Sequence, residues 1–276
     1  MAGTVTLIAP AKLNLCLRVG PVGADGYHPV GTLMVTLDGL HDVVTVRRAR
    51  DRRVDCPGID GADNLAWRAL DALEAHLGGP LPHLAVRIDK RIPAQAGLGG
   101  GSSDAAATLL AARRLLGLDV DDAALEAVAA TVGSDVPFFI RGGARWATGR
   151  GEVLRPAAMP VGLWVVVHPP VQPLSTARVY AAFDRIGHAT PPPADPPDAP
   201  WTTGDWVAND LWPAALACAP ALGGVARALR AQGARDVLLC GSGGAVAGLF
   251  DDPGRAEAAG AALRGAWVCR PGGADG

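Results

Sequence analysis

The sequence predicts an α+β fold in two parts. Strand-like segments dominate the beginning of the chain, whereas helical and strand-like segments are mixed after it. Pro156 and Pro160 lie between two strand patterns, and the sequence shows no internal repeat. We therefore expect one unit over residues 1–156 and a second over residues 157–276.

Four segments at the start of the chain predict strands, because Val, Leu, Ile and Thr dominate them and turn residues separate them. They are TVTLIAPAKLNLCLRV, GTLMVTL, DVVTVRRA and HLAVRIDKR. A helix is predicted between the last two, in DNLAWRALDALEAHLGG, since its leucines fall on roughly one helical face. Asp63 or Asn64 can cap the start of this helix, and Gly78 can end it.

Two helices and a hairpin are predicted next along the chain. The first helix covers residues 104–116, and the second, DDAALEAVAATVG, has Asp121 as its cap and Gly133 as its end. The segment ARWATGRGEVLRP predicts a hairpin that turns at residues 149–151.

The last part of the chain predicts strands and helices in turn. The strands are GLWVVVHPP, DVLLC, AVAGLF and AWVCR, and the loop GSGG joins the middle two. Helices are predicted in STARVYAAFDRIG, in residues 210–232 with breaks near Pro213 and Pro220, and after Pro253. The segment TPPPADPPDAP predicts a flexible surface loop.

The composition indicates a globular protein of a reducing compartment. Hydrophobic residues make up 49% of the chain and charged residues 19%, which suits a packed core. A net charge of −2 with mixed signs predicts no nucleic-acid partner. The sequence has no membrane-spanning apolar run and no basic start typical of a signal peptide. The five cysteines are scattered without a C-x-x-C pair, so we expect reduced thiols and a cytoplasmic location.

The segment IPAQAGLGGGSSDAAATLLAARRLLG has four glycines among five residues just before a predicted helix. A capped helix start is one interpretation, but a cap needs one serine and at most one glycine. A dinucleotide site is a second interpretation, although the G-x-G-x-x-G pattern ends in serine here and IPAQA separates it from the strand. A Walker loop is not indicated, because no G-K-[ST] follows the glycines.

A phosphate cradle is the interpretation that the segment favours. Glycine amides and the free N–H groups of a helix start point at one volume, where the helix dipole favours negative charge. Ser102 and Ser103 add hydroxyls that suit a phosphate oxygen or a metal ion. We expect Asp104 to cap the helix and to turn away from the phosphates.

Phosphoryl transfer also needs a carboxylate and a cation near the acceptor hydroxyl. Lys12 and Asn14 lie two apart in a predicted strand, so they share one face. Asp135 follows a helix end and precedes an apolar run. A solvated edge lysine and an ordinary turn aspartate are equally open interpretations. The second glycine loop, in CGSGGAVAG, is either a plain hairpin turn or a close-approach loop that encloses the first.

The segments PAKLNL, GLGGGSSDAA and GSGG, in this order, resemble the GHMP kinases. More narrowly, ADGYHPVGTLM, IDKRIPAQAGLGGGSSDAA and GSDVPFFIRGG resemble the branch that acts on a cytidine-diphosphate-linked methylerythritol. This resemblance implies a ribosomal-protein-S5-like N-terminal α/β domain and a ferredoxin-like C-terminal α+β domain. It also implies transfer of the γ-phosphoryl group of ATP, with Mg²⁺, to the 2-hydroxyl of that substrate in the non-mevalonate route to isoprenoid precursors.

The resemblance implies a role for each matching residue. Asp135 corresponds to the catalytic base, Lys12 to the lysine that stabilises the ionised base and the developing charge, and Asn14 to a substrate-positioning residue. The ATP phosphate loop corresponds to Pro93, Gly97, Leu98, Gly99, Gly100, Gly101, Ser102 and Ser103, and a serine of this loop contacts Mg²⁺ in relatives. Cytidine recognition is expected from Tyr27, His28, Thr176 and Tyr180, with Asp210 as an acidic residue near the substrate.

Two aromatic faces, Tyr27 and Tyr180, suit a sandwich around the pyrimidine. The second glycine loop departs from the family pattern at Cys240, Gly244 and Ala247.

Three alternative functions predict different ligands. Another GHMP small-molecule kinase, of the mevalonate or homoserine type, would not bind cytidine. A non-catalytic nucleotide-binding protein would bind ATP without turnover, and an oxidoreductase would bind a nicotinamide cofactor. We expect a small-molecule substrate and ATP as partners, no nucleic-acid or membrane partner, and a monomer or weak homodimer. The scattered histidines predict no metal site formed by protein ligands.

Overall fold

The computed structural model describes residues 3–59, 61–187, 190–196 and 207–272. Within them, strands of both halves of the chain join in one mixed sheet flanked by helices. The first half contains β1 (Thr4–Val19), β2 (Val30–Arg48), β3 (Arg53–Asp55), α1 (Leu65–Leu77), β4 (Leu84–Asp89), α2 (Gly100–Leu116), α3 (Asp122–Val132), α4 (Phe138–Arg141), β5 (Ala144–Thr148) and β6 (Val153–Pro156). The second half contains β7 (Trp164–His168), α5 (Thr176–Ile186), β8 (Ala208–Asn209), α6 (Trp212–Cys218), α7 (Leu222–Ala231), β9 (Asp236–Leu239), β10 (Val246–Phe250), α8 (Pro253–Ala262) and β11 (Trp267–Pro271).

The first half is built around a long antiparallel pair of strands, β1 and β2. The prediction of two separate strands in this region was wrong, because β2 continues through Gly39. Gly39 has a φ of +102°, and the pairing shifts from Pro10 opposite His41 to Ala11 opposite Leu37. The glycine therefore produces a bulge within one strand rather than a turn between two.

Helices α1, α2 and α3 cover one face of the first-half sheet. Their buried side chains pack with the strands in one core, which includes Val44, Val86 and Leu70. The inner face of α2 is largely alanine, for example Ala105 and Ala112, so this helix lies close to the strands. The start of α2 is thereby held at a fixed position next to β1.

Four strands of the second half lie side by side in the order β11, β7, β10 and β9, whereas β8 pairs with β1. The last strand, β11, pairs with β7 and also with the middle of β2. A buried core between the halves contains Leu13, Leu33, Val165 and Leu249. Strand β11 thus joins the two halves through backbone hydrogen bonds.

Most predicted elements are confirmed, and so are the predicted caps of α1 and α3, whereas α2 begins at Gly100 instead of residue 104. Asn64 caps α1 by accepting from the Ala66 N–H, and Asp121 caps α3 by accepting from the Ala124 N–H. The short strands β3 and β8 were not predicted. The predicted break near Pro213 was wrong, since this proline lies in the first turn of α6, where a missing N–H costs nothing. Part of the predicted proline-rich loop, residues 197–200, lies outside the described residues.

All five cysteines are free thiols. In the described ranges, none of the helices combines the length and apolar character needed to cross a membrane.

Candidate active site

Lys12 and Asp135 come together in the structure, although 123 positions separate them in the sequence. The Lys12 Nζ lies 3.5 Å from the Asp135 Oδ2; the lysine side chain is 5% exposed and that of the aspartate 34%. The interpretation of Lys12 as a solvated edge residue was therefore wrong. A buried ammonium next to a reachable carboxylate is an arrangement typical of a reactive site.

Asn14 fixes the lysine, as the shared strand face predicts. The Lys12 Nζ donates to the Asn14 Oδ1 over 2.6 Å, and the Asn14 Nδ2 donates to the Thr32 Oγ1 over 2.8 Å. The Thr32 hydroxyl donates in turn to the carbonyl of Cys16. This chain of bonds leaves the ammonium little freedom to turn away from Asp135.

The first glycine loop lies directly beside Lys12, since the Lys12 backbone N–H donates to the Leu98 carbonyl over 2.9 Å. Helix α2 begins at Gly100, and no side chain caps it. The N–H groups of its first turn have no acceptor within the helix, and the helix dipole makes this end positive. This arrangement favours an anion. Pro93 is partly buried near the start of this loop.

The glycines of this loop differ in how much space the protein leaves for a side chain at their positions. A Cβ at Gly97 would overlap the Cys240 carbonyl, and one at Gly99 would lie 2.7 Å from the Phe139 ring. Both glycines also have positive φ values, 79° and 74°. A Cβ at Gly101 would meet only a Leu65 methyl, at 3.5 Å. Protein packing thus explains Gly97 and Gly99, but not Gly101.

The second glycine loop packs against the first, as the close-approach interpretation predicts. Gly244 donates its N–H to the Gln95 carbonyl, and Ala245 donates to the Ala96 carbonyl. A Cβ at Gly243 would overlap the Gly97 nitrogen. The two loops are therefore in backbone contact, which side chains would prevent.

Asp104 does not cap α2, so that expectation was wrong. It is buried within the helix, and its Oδ2 accepts from the Lys90 Nζ over 2.7 Å. Lys90 also donates to the fully buried Asp42, so two carboxylates share one ammonium. Burial raises the pKa of Asp104 to about 7; Lys90 opposes this rise and the charge of Asp42 adds to it. Asp104 does turn away from the loop, as expected, toward Lys90.

Tyr27 lies at the surface with one face of its ring covered. The Arg150 guanidinium lies 3.9 Å from the ring centroid, and Arg150 also forms a 2.7 Å ion pair with Asp25. Tyr27 as a whole is 55% exposed. Arg150 therefore fixes Tyr27 against the turn between β5 and β6.

His28 and Tyr180 are in contact, with ring centroids 5.1 Å apart and planes tilted by 38°. The His28 ring nitrogens are bound within the protein, Nδ1 to the Gly20 carbonyl and Nε2 to Asp184. Burial raises the pKa of Tyr180 to about 12, and the charge of Asp135 contributes to this rise. Tyr180 thus lies within electrostatic reach of Asp135.

Thr176 and Asp210 occupy different surroundings. Thr176 shares a 2.9 Å hydrogen bond with Ser242 of the second glycine loop. Asp210 binds the end of β1, with one oxygen on the Arg18 guanidinium and the other on the Val19 N–H. The structure therefore brings Thr176 to the loops, whereas both carboxylate oxygens of Asp210 hold a strand end.

Several residues of this region were not predicted. Asn209 is buried and donates to the carbonyls of Leu239 and Gly241, which holds the second glycine loop in place. Thr32, Lys90 and Arg150 were also missed. Asn209 directly precedes Asp210 in VANDLW, but an isolated asparagine carries no signal of such a role.

Family models match both halves of the chain: GHMP kinases N terminal domain at residues 64–143, and GHMP kinases C terminal at residues 204–269. The 4-diphosphocytidyl-2-C-methyl-D-erythritol kinase of Anaeromyxobacter sp. (strain K) is 45% identical over 266 residues, which cover 93% of this chain and 83% of that protein. The chain belongs to the GHMP kinase family. The kinase of the same name from Mycolicibacterium gilvum (strain PYR-GCK) is 40% identical over 97% of this chain and 88% of its own length.

Solved structures agree with the family assignment. The crystal structure of a 4-(cytidine 5'-diphospho)-2C-methyl-D-erythritol kinase superposes with a TM-score of 0.82 at 37% identity, over 97% of this chain and 100% of that one. A homoserine kinase from Cytophaga hutchinsonii has a TM-score of 0.72 at 17% identity, over 98% of this chain and 95% of that one, and so shares the fold. The predicted α+β GHMP kinase fold is confirmed.

Proposed function

We propose that this GHMP kinase transfers the γ-phosphoryl group of ATP to the 2-hydroxyl of 4-diphosphocytidyl-2-C-methyl-D-erythritol, in the non-mevalonate route to isoprenoid precursors. The names of its relatives at 40–45% identity support this substrate. One structural observation supports phosphoryl transfer at this site. The Lys12 ammonium and the Asp135 carboxylate lie 3.5 Å apart, next to a loop whose helix start suits phosphate.

In this proposal Asp135 accepts the proton of the attacking hydroxyl. Its side chain is one-third exposed, so a bound alcohol can reach it. Lys12 stabilises the negative charge that develops on the alcohol oxygen as the proton leaves. Asn14 supports this role, because its 2.6 Å bond keeps the ammonium facing the carboxylate.

The start of α2 fits the phosphates of ATP together with Mg²⁺. Gly100, Gly101 and Ser102 would present N–H groups to the phosphate oxygens. In the part of the chain that the structure describes, the buried Ser103 Oγ has no hydrogen-bond partner, and a buried polar atom usually has one. Mg²⁺ takes few protein ligands when phosphates supply the others, so one serine hydroxyl suits it. Mg²⁺–ATP would supply the phosphoryl group and balance its charge.

Tyr27, His28, Thr176 and Tyr180 are proposed to bind the cytidine part. The free face of the Tyr27 ring, opposite Arg150, is available for stacking on a pyrimidine. His28 would contribute its backbone rather than its ring nitrogens, which other groups already bind. A substrate contact through Asp210 stays a prediction.

Further predictions from the sequence belong to this proposal. They are a cytoplasmic location, a monomer or weak homodimer without nucleic-acid or membrane partners, and the division of the chain into units 1–156 and 157–276. The free cysteines support a reducing compartment.

ADP release with the cytidine-linked methylerythritol tests the proposal, with mevalonate and homoserine as controls. We expect turnover with the first substrate alone, and inhibition of it by CDP. Asp135→Asn should abolish turnover while ATP binding largely survives, because the amide keeps the shape of the side chain but accepts no proton. Equal turnover of mevalonate would contradict the substrate, and an active Asp135→Asn variant would contradict the assigned base.

A further inference from the structure

The ring of His28 is held on both nitrogens. Its Nδ1 lies 2.8 Å from the Gly20 carbonyl oxygen, and its Nε2 lies 3.2 Å from the Asp184 Oδ1. The carbonyl oxygen of Gly20 can only accept, so Nδ1 is the donor in that bond, and the Asp184 carboxylate lies within ion-pair distance of Nε2. The side chain is 8% exposed, so the ring is buried, and contacts on both of its nitrogens determine its orientation.

Helix α5 supplies the other contacts of this ring. Tyr180 and Asp184 are four residues apart and therefore lie on the same face of the helix. Tyr180 packs on the His28 ring, Phe183 meets it edge-on with centroids 5.9 Å apart, and Asp184 binds its nitrogen. One face of α5 thus forms the surface on which the His28 side chain packs, and His28 belongs to the loop between β1 and β2.

We propose that Asp184 is a positioning residue for cytidine binding, an inference that rests on the proposed function. Its carboxylate holds the His28 ring in its orientation, and the position of the ring in turn determines the backbone conformation of residues 27 and 28. Tyr27 is the adjacent residue, so a rotation of this backbone moves the ring face that would stack on the base. Asp184 itself need not touch the substrate.

A purely structural role for Asp184 would have different consequences. Its side chain is 52% exposed, and ion pairs with exposed partners contribute little to global stability. Helix α5 is anchored instead by Val179, Ala182 and Phe183, which are buried. Loss of the carboxylate should therefore give the His28 ring more freedom to move without unfolding the helix.

The test compares Asp184→Ala with the wild type in three measurements: KM for the cytidine-linked methylerythritol, KM for ATP, and the dissociation constant of CDP. We expect the first and the third to rise about tenfold, the scale of one hydrogen bond to a charged group. The KM for ATP and kcat should change less than twofold. Asp184→Glu should recover part of the affinity, because it restores a carboxylate.

Asp251→Ala is a matched control. Asp251 also forms an ion pair through an exposed carboxylate, with Arg235 at 2.6 Å, and these two residues adjoin β10 and β9 in the second half. It should leave all three constants unchanged.

Unchanged affinity for CDP and substrate in Asp184→Ala, with a wild type that binds CDP, would overturn the inference alone. A parallel loss of kcat, ATP affinity and thermal stability would also overturn it, since that pattern indicates a structural role. A wild type that neither binds CDP nor turns over the substrate would refute the proposed function, and the inference with it.

Discussion

The substitution Gly101→Ala tests whether this position is glycine because of protein packing or because a ligand approaches its backbone. The new methyl would meet only the Leu65 Cδ1, at 3.5 Å, which is an ordinary contact. Gly101 is the second residue of α2, so alanine should stabilise the fold by roughly 0.5–1 kcal/mol, or about 1–4 °C in Tm. Because Cβ atoms tilt toward the N-terminus of a helix, the same methyl would take up space beside the N–H groups proposed to bind phosphate. We expect kcat/KM for ATP to fall about tenfold or more, equivalent to at least ~1.4 kcal/mol.

The assay pairs thermal unfolding with ADP release at varied ATP concentration. Gly223→Ala is the matched control, because Gly223 is likewise the second residue of its helix, α7, and its Cβ would have only 3.6 Å contacts. It should gain similar stability and keep full activity. If Gly101→Ala gained stability and kept wild-type kinetics with ATP, the reasoning that a phosphate approaches this backbone would be refuted.

Three further changes test other parts of the site. Gly243→Ala would push the glycine loops apart at Gly97, so we expect a loss of about 1–3 kcal/mol in denaturant unfolding together with weaker ATP binding in titration. Lys12→Met keeps the apolar stem but removes the charge next to Asp135, and kcat should fall roughly 10²–10³-fold in the ADP-release assay while the fold persists. The pKa of Asp104 is raised from 3.8 to about 7, so the folded wild type should lose stability as the pH rises from about 4 to 7. Tm measured over this pH range should show the loss. In Asp104→Asn this fall of Tm with pH should be absent.

The Lys12–Asp135 pair illustrates what the sequence could predict of the site. Strand periodicity placed Lys12 and Asn14 on one face, and the resemblance to GHMP kinases selected Asp135. Their distance could not be predicted, because it depends on how the turn after α3 packs beside β1. The supporting bond from Asn14 to Thr32 crosses to another strand, so it depends on the register of β1 and β2.

The first glycine loop shows where local reasoning was incomplete. The glycine surplus was interpreted as room for a ligand, yet Gly97 and Gly99 are glycines because Cys240 and Phe139 leave no space for a Cβ. Those two neighbours lie far along the chain, so no local pattern could indicate them. The interpretation as a phosphate cradle therefore depends on Gly101 and on the uncapped start of α2.

The site requires both halves of the chain. The first half supplies the lysine, the carboxylate and the helix start, but the second half supplies the Cys240 carbonyl and Gly243 that pack against the first glycine loop. Gln95, at the entry of that loop, has a φ of 54°, a strained value for a residue with a side chain, and its carbonyl accepts from the Gly244 N–H. Because contacts from the second half hold this strained backbone, the docking of the two halves determines the geometry of the first glycine loop.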